Sequence, residues 1–470
     1  MVFSSVIFIC IFLPLTIGVY YILKEKYRNF LLLIVSLLFY SFGGVKYLIV
    51  MIGSIVINYT MGLIIDKYKN TIRLKKIFLV LVVLINLSIL YFFKYVDFSI
   101  DVINLLCSSS IPYKNIVLPI GISFFTFQGL SYVLDVYMNK VSVQKNILNI
   151  ALYISFFPQL IAGPIVRYNT INNQIVKRES SVDKFYIGIK RFIFGLAKKV
   201  IISNQLAVVV DQIFNLEFSY LSTTVAWLGI ILYALQIFFD FSGYSDMAIG
   251  LGKMFGFEFL ENFNYPYISK SITEFWRRWH ISLSTWFRDY VYIPLGGNRT
   301  GNLYFNLIIV FLLTGLWHGA SWNFIIWGMW HGMFLIIERI CKTKSWYNKI
   351  PVFIRRLYTI IAILIGWVFF RAVDLKYAVN YLCIMFSNTT AINVPTVDWY
   401  INNKRMFILI LAIIFSIPVI NNKYIKKINN TFNKSTVGII ISNTIIMLLF
   451  ILTMSMILIS GYNPFIYFQF

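Results

Sequence analysis

The chain has 470 residues, of which 59% are hydrophobic and 13% charged, with a mean hydropathy of +0.77. A soluble globule is nearer half apolar and a quarter charged, so an apolar excess over this length excludes a single water-soluble core and implies lipid-facing surface. The formal net charge of +23 would suggest nucleic acid in a soluble protein. Here the basic residues sit in short loops between apolar runs, as in cytoplasmic membrane loops, so the expected partner is the lipid bilayer and no nucleic acid.

No polar stretch is long enough to form a soluble domain, and residues 1–470 read as one membrane domain. The first apolar run, 2–23, has no positive charge before it and is followed by Lys24, Lys26 and Arg28. That is a first span with its N-terminus outside rather than a cleavable signal peptide. Further candidate spans are 29–42, 45–65, 77–93, 116–137, 185–215, 223–241, 303–318, 322–340, 354–370, 406–420 and 437–460. The expected fold is all-α and polytopic, with about 11–13 spans. Basic loops at 24–28, 66–76, 140–145 and 421–434 are expected in the cytoplasm, and so are Lys140, Lys177, Arg178 and Lys427. Loops 42–46, 94–115 and 374–403 are expected outside, which puts both termini outside. Cys10, Cys107, Cys341 and Cys383 are widely spaced without a CxxC pair, so neither a metal site nor a disulfide framework is expected.

Two segments break the alternation. Residues 150–163 are apolar but too short to span, with Lys145 before and Arg167 after, and read as re-entrant. Residues 269–299 carry Lys270, Arg277, Arg278, Arg288 and Arg299 among Phe275, Trp276, Trp279, Trp286 and Phe287. Such a stretch belongs at the cytoplasmic face, partly dipping into protein, and the two segments together imply a cavity open to the cytoplasm.

Within these elements, Asp240 and Asp246 fall at an expected span end. They would orient a histidine or, the favoured reading, cap a helix or pair with a loop arginine. His280 lies in the basic, aromatic segment. On a continuous helix Trp276, His280 and Ser284 share a face, with Arg277 three residues before His280. With Arg278, Arg288 and Asp289 nearby, that face would line the path of an anionic donor; an interfacial aromatic belt is the alternative. His318, in Thr314-Gly-Leu-Trp-His-Gly-Ala-Ser-Trp322, lies about 22 Å along its span. An ionisable residue that deep is a functional candidate, against the alternative of a packing histidine bonded to a carbonyl. Gly315 and Gly319 leave room for a ligand or a helix break. His331, in Trp327-Gly-Met-Trp-His-Gly332, would lie roughly 20 Å from His318 on a continuous helix. It favours a structural reading unless the chain turns near Gly319.

These motifs resemble the membrane-bound O-acyltransferase family, and within it the alginate O-acetyltransferase branch. The resemblance covers about 116–340. It rests on Gly121-Ile-Ser-Phe-Phe-Thr-Phe127, Asp240-Phe-Ser-Gly-Tyr-Ser-Asp246, Asn262-Phe-Asn-Tyr-Pro-Tyr267, the run ending Tyr292-Ile-Pro-Leu-Gly-Gly-Asn298, and Leu316-Trp-His-Gly319. It implies a ring of helices around a central funnel. It also implies that His318, preceded by Trp317, is the catalytic histidine, with His280 at the second signature position. The implied donor is cytoplasmic acetyl-CoA, with no bound cofactor or metal. The implied partners are an extracytoplasmic acyltransferase and a polysaccharide acceptor. The alternatives are D-alanyl transfer to teichoic acid from a carrier protein and, in a different class, a lipid-linked sugar transporter or flippase. Transporters often show internal repeats, and none is visible at a fixed period.

Overall fold

The computed structural model describes residues 1–160, 163–299, 301–387, 395–418, 435–462, 464 and 466. The described residues form helices and turns, with no strand among them. In chain order the helices begin with α1 (Leu13–Ile22), α2 (Glu25–Ser41), α3 (Val45–Lys67), α4 (Ile72–Lys94) and α5 (Val96–Cys107). Then follow α6 (Ile122–Tyr137), α7 (Ile147–Ser155), α8 (Phe157–Leu160), α9 (Tyr168–Val176) and α10 (Val182–Ala197). A wide π turn (Lys198–Ser203) leads to α11 (Asn204–Phe214), α12 (Thr223–Met254), α13 (Ile272–Phe275), α14 (Ile281–Phe287), α15 (Leu303–His318) and α16 (Trp322–Lys342). The described chain ends with α17 (Val352–Arg371), α18 (Leu375–Phe386), α19 (Val397–Tyr400), α20 (Asn403–Ser416) and α21 (Thr436–Ile459). Seven helical runs among the described residues are long and apolar enough to cross a membrane, including α3, α4, α12, α16, α17 and α21. The 23 residues of α3 extend about 35 Å, enough for a hydrocarbon core of ~30 Å. Ile440, Ile445, Leu448 and Leu452 of α21 are exposed, a face suited to lipid. The chain is a multi-pass membrane protein.

Several boundaries differ from expectation for local reasons. α6 starts at Ile122 rather than 116, because Pro119 disfavours helix before it and Gly121 is left-handed with φ +74°. α12 runs through 241 to Met254, so Asp240 and Asp246 lie inside a helix and cap nothing. The expected outer loop 94–115 contains α5. The 421–434 loop, with Lys427, lies outside the described residues.

The chain divides into two compact units, each with its own core. Residues 1–192 and 247–261 form the first. Phe3, Phe8, Phe39 and Phe157 interlock there, with Phe3–Phe8 centroids 4.9 Å apart and Phe39–Phe157 5.5 Å apart. Between α3 and α4, Asn58 and Asn86 each donate an amide N–H to the other's oxygen at 3.1 Å. The 150–163 segment breaks at Phe156 into α7 and α8. The nine residues of α7 rise about 14 Å, well short of a span.

Residues 193–246 and 262–470 form the second unit, which holds all three histidines. Its axis is the α15–α16 hairpin. Gly315 lies against the carbonyl of Phe324 and Gly328 against that of Phe311, so the two helices touch backbone to backbone where any Cβ would collide. Asn302 caps α15 by accepting from the Tyr304 and Phe305 N–H groups at 3.0 and 3.2 Å. The π turn directs Lys198 and Lys199 to successive acids of α12: Lys198 meets Asp246 at 2.6 Å, and the buried Lys199 meets the buried Asp240 at 2.5 Å.

Candidate active site

α15 ends at His318, the chain turns through 319–321, and α16 returns from Trp322. That turn decides the placement of His331. The rings of His318 and His331 both stand edge-on to Trp327, with centroids 5.1 Å away in each case. His331 is thus joined to His318 through one shared indole, which corrects the separation a continuous helix would impose. The space at Gly315 is filled by α16, so it leaves no room for a ligand, whereas Gly319 does mark the helix end.

His280 reaches the same neighbourhood by another route. The expected continuous helix through 276–284 does not form. α13 stops at Phe275, residues 276–280 turn, and His280 takes a left-handed conformation with φ +43° before α14 begins at Ile281. Trp276 and His280 therefore do not share a helix face, and Ser284 lies one turn into α14 with its N–H on the His280 carbonyl at 3.0 Å. A left-handed non-glycine residue costs about 1–3 kcal/mol and persists only where its surroundings hold it. Here Asn262 does so. Its backbone carbonyl accepts from the Ile281 N–H at 2.9 Å, and its side chain contacts His280 and Ser282.

The imidazole of His280 is fully buried and burial pushes its pKa down to about 3, so the ring is neutral near pH 7. It stands 4.6 Å from the Phe241 ring and 6.0 Å from Trp317, and Trp317 in turn lies 4.9 Å from His318. The three histidines thus form one line through two indoles: His280, Trp317, His318, Trp327, His331. Trp276 packs against the far end of that line, 5.1 Å from His331 and 5.6 Å from Trp327. On α17, Gly366 makes space for the line's last member, since a Cβ there would fall 2.8 Å from His331 Nε2.

On one flank of His318 the Phe370 ring lies 5.1 Å away. Phe370 also lines a cavity of about 360 Å3 bordered by Asp211, Tyr233, Gln236, Asn323 and Arg371. Asp211 and Arg371 form an ion pair at 2.7 Å, so the wall offers fixed donors and acceptors. The arginines divide differently from their shared basic character in sequence. Arg278 is held by Glu274 at 2.9 Å and Arg288 by Asp289 at 2.7 Å. Arg277 is exposed and, among the described residues, makes no ion pair. Asp240 and Asp246 pair with the lysines of the π turn, and neither orients a histidine through those contacts.

The profile of the membrane-bound O-acyltransferase family matches residues 38–373, a stretch that includes every residue just described in the histidine line. The chain is a member of the membrane-bound O-acyltransferase family. It is 48% identical over 393 residues to the probable alginate O-acetylase AlgI of Pseudomonas aeruginosa, covering 82% of this chain and 75% of the relative. It is 38% identical over 418 residues to the peptidoglycan O-acetyltransferase of Helicobacter pylori, covering 81% and 79%. The teichoic acid D-alanyltransferase of Bacillus subtilis is 33% identical over 279 residues, or 55% of this chain and 68% of that one. The chain belongs with the alginate O-acetyltransferase-like branch. All three imidazoles are buried, and Phe370, beside His318, lines the polar cavity.

Two residues in this site had no role assigned from sequence. Asn262 sits in a motif whose spacing alone does not show that it clamps His280. Glu338, buried near the end of α16, accepts from the N–H groups of Ile272 and Thr273 and from the Thr273 hydroxyl. It thereby anchors the start of the segment that carries Trp276. The available signal was weak: one acid among Arg339 and Lys342 at a helix end.

Proposed function

We propose that this chain transfers an acetyl group from cytoplasmic acetyl-CoA to a hydroxyl bound for an extracellular polysaccharide or cell-wall polymer, with His318 as general base. The observation that carries this reading is the place of His318, a buried imidazole at a helix end whose neighbour Phe370 lines the polar cavity. A hydroxyl-rich acceptor suits a wall made of Asp211, Gln236, Asn323 and Arg371, whose side chains include both donors and acceptors. In the transfer the imidazole takes the hydroxyl proton as the oxygen attacks the thioester carbonyl. The C–O bond forms, the C–S bond breaks, and the departing thiolate takes up the proton. Arg277 is the cation best able to meet the donor's phosphates, and His280 supports the donor side. An extracytoplasmic acyltransferase would complete delivery to the polymer.

The names of the relatives favour acetyl over D-alanyl: those that align over four-fifths of this chain are O-acetylating enzymes by name. The test is transfer by the purified protein in nanodiscs, supplied in parallel with labelled acetyl-CoA and with a D-alanyl-loaded carrier protein. Label should leave acetyl-CoA. Transfer from the carrier alone would replace the acetyl reading with D-alanylation.

A further inference from the structure

The hydrogen bonds around His280 determine which of its nitrogens carries the proton. Asn262 is buried, and its Oδ1 lies 3.1 Å from the backbone N–H of Ser282. A backbone N–H only donates, so that amide atom is the oxygen; a flipped amide would set donor against donor. Its Nδ2 then points to Ser245 Oγ at 3.1 Å, an acceptor. The Ser282 hydroxyl donates its single proton to the same Oδ1 at 2.9 Å. His280 Nδ1 lies 3.2 Å from Oδ1 and 3.4 Å from Ser282 Oγ. Both atoms facing Nδ1 are therefore acceptors. In a neutral ring Nδ1 must hold the hydrogen and Nε2 the lone pair.

We infer that Asn262 is a positioning residue that locks His280 as its Nδ1–H tautomer, so that Nε2 is presented to the reaction as a hydrogen-bond and proton acceptor. The clamp has three points. The Asn262 carbonyl holds the Ile281 N–H, Oδ1 holds Ser282 and His280, and Ser245 fixes the far end of the amide. Together they set both the ring's orientation and the left-handed turn that aims it. The chemical consequence is directional: an Nε2 acceptor receives an N–H, O–H or S–H from a donor molecule or reacting group, and it cannot donate to a carbonyl. The link to transfer rests on the proposed role of His280 on the donor side, whereas the tautomer does not.

Three histidines in the whole chain make the test direct. Nitrogen NMR of protein labelled with 15N-histidine, reconstituted in nanodiscs, distinguishes protonated Nδ1 from protonated Nε2, and His280→Ala assigns the signal by its loss. In the unaltered protein His280 should show protonated Nδ1 and an unprotonated Nε2. Asn262→Ala should shift it toward protonated Nε2 or a mixture. Asn262→Asp, which keeps an acceptor at Oδ1, should retain the Nδ1–H form and serves where the alanine variant does not fold. A protonated Nε2 in the unaltered protein, or an unchanged signal in folded Asn262→Ala, overturns the assignment. Kinetics add the second reading. Asn262→Ala should lower turnover by about 10²-fold, and combining it with His280→Ala should cost little more than His280→Ala alone. If the tautomer shifts as stated while turnover stays at the unaltered rate, the hydrogen-bond assignment stands and the role of His280 in transfer falls.

Discussion

Each unit buries asparagine side chains, and the two arrangements differ in what the amide is for. In the first unit Asn58 and Asn86 face each other, and each is donor and acceptor to its mirror partner at 3.1 Å. The pair joins α3 to α4 and points at nothing else that reacts. In the second unit Asn262 directs its amide and its backbone at a strained turn that ends in a histidine. Burial of a polar group in a membrane protein is therefore not a functional mark by itself. The mark is an asymmetric network, with the amide held on one side and a titratable ring aimed from the other.

The strongest test of the second unit's site is to remove the histidine that packs on Phe370, which lines the cavity. His318→Ala should lower turnover by ~10²–10⁴-fold, the usual contribution of a general base, while donor binding persists. Truncating a buried polar group also destabilises by ~1–3 kcal/mol, so the rate is read only on protein that remains monodisperse in detergent. Measured acetyl transfer within tenfold of the unaltered protein would remove His318 from its assigned role and make His331, joined to it through Trp327, the next residue to test.

The arginines sharpen the contrast at a smaller scale. Arg277 has no carboxylate partner among the described residues, whereas Arg278 is tied to Glu274 and to the carbonyl of Asn264. Arg277→Gln should raise the KM for donor by about tenfold, close to the value of one charge-assisted hydrogen bond, with kcat unchanged. Arg278→Gln should act mainly through stability, because it frees Glu274. Titrating acetyl-CoA against initial rate for both variants separates them. Equal, unchanged KM values would place the donor's phosphates elsewhere.

The helical, membrane-spanning character was legible because a long apolar run has few solutions in lipid: the backbone must satisfy itself, and the helix does so within one segment. His318 stood out as a candidate for a related reason, since an ionisable ring inside such a run is costly. The site's geometry was not. Five aromatic residues and three arginines between 275 and 288 fit a continuous helix. The break at 276–280 comes from contacts with Asn262, eighteen residues away. The gathering of His318 and His331 on Trp327 depends on a reversal at 319–321 that a run of glycine and small residues permits without dictating. Asp240 and Asp246 looked like span-end residues because their charge suggested the end of lipid. The lysines of the π turn neutralise them in place and let α12 continue.

The smallest expected effect lies in the first unit, and it is the control for the comparison. Asn86→Leu removes one half of a mutual pair and leaves the Asn58 oxygen facing an apolar group. Asn58 Nδ2 keeps its bond to the Ser54 carbonyl at 2.8 Å, so the loss is partial, about 1 kcal/mol, in the range measured for single polar contacts between membrane helices. Replacing both partners, Asn58→Leu with Asn86→Leu, should recover most of that, because no buried polar atom is then left without its mate. Thermal unfolding in detergent should accordingly rank the unaltered protein and the double variant close together and the single variant below them. Acetyl transfer per folded molecule should stay the same in all three. A tenfold fall in transfer by folded Asn86→Leu would show that the symmetric amide pair also serves the reaction, and the distinction between the two asparagine arrangements would have to be abandoned.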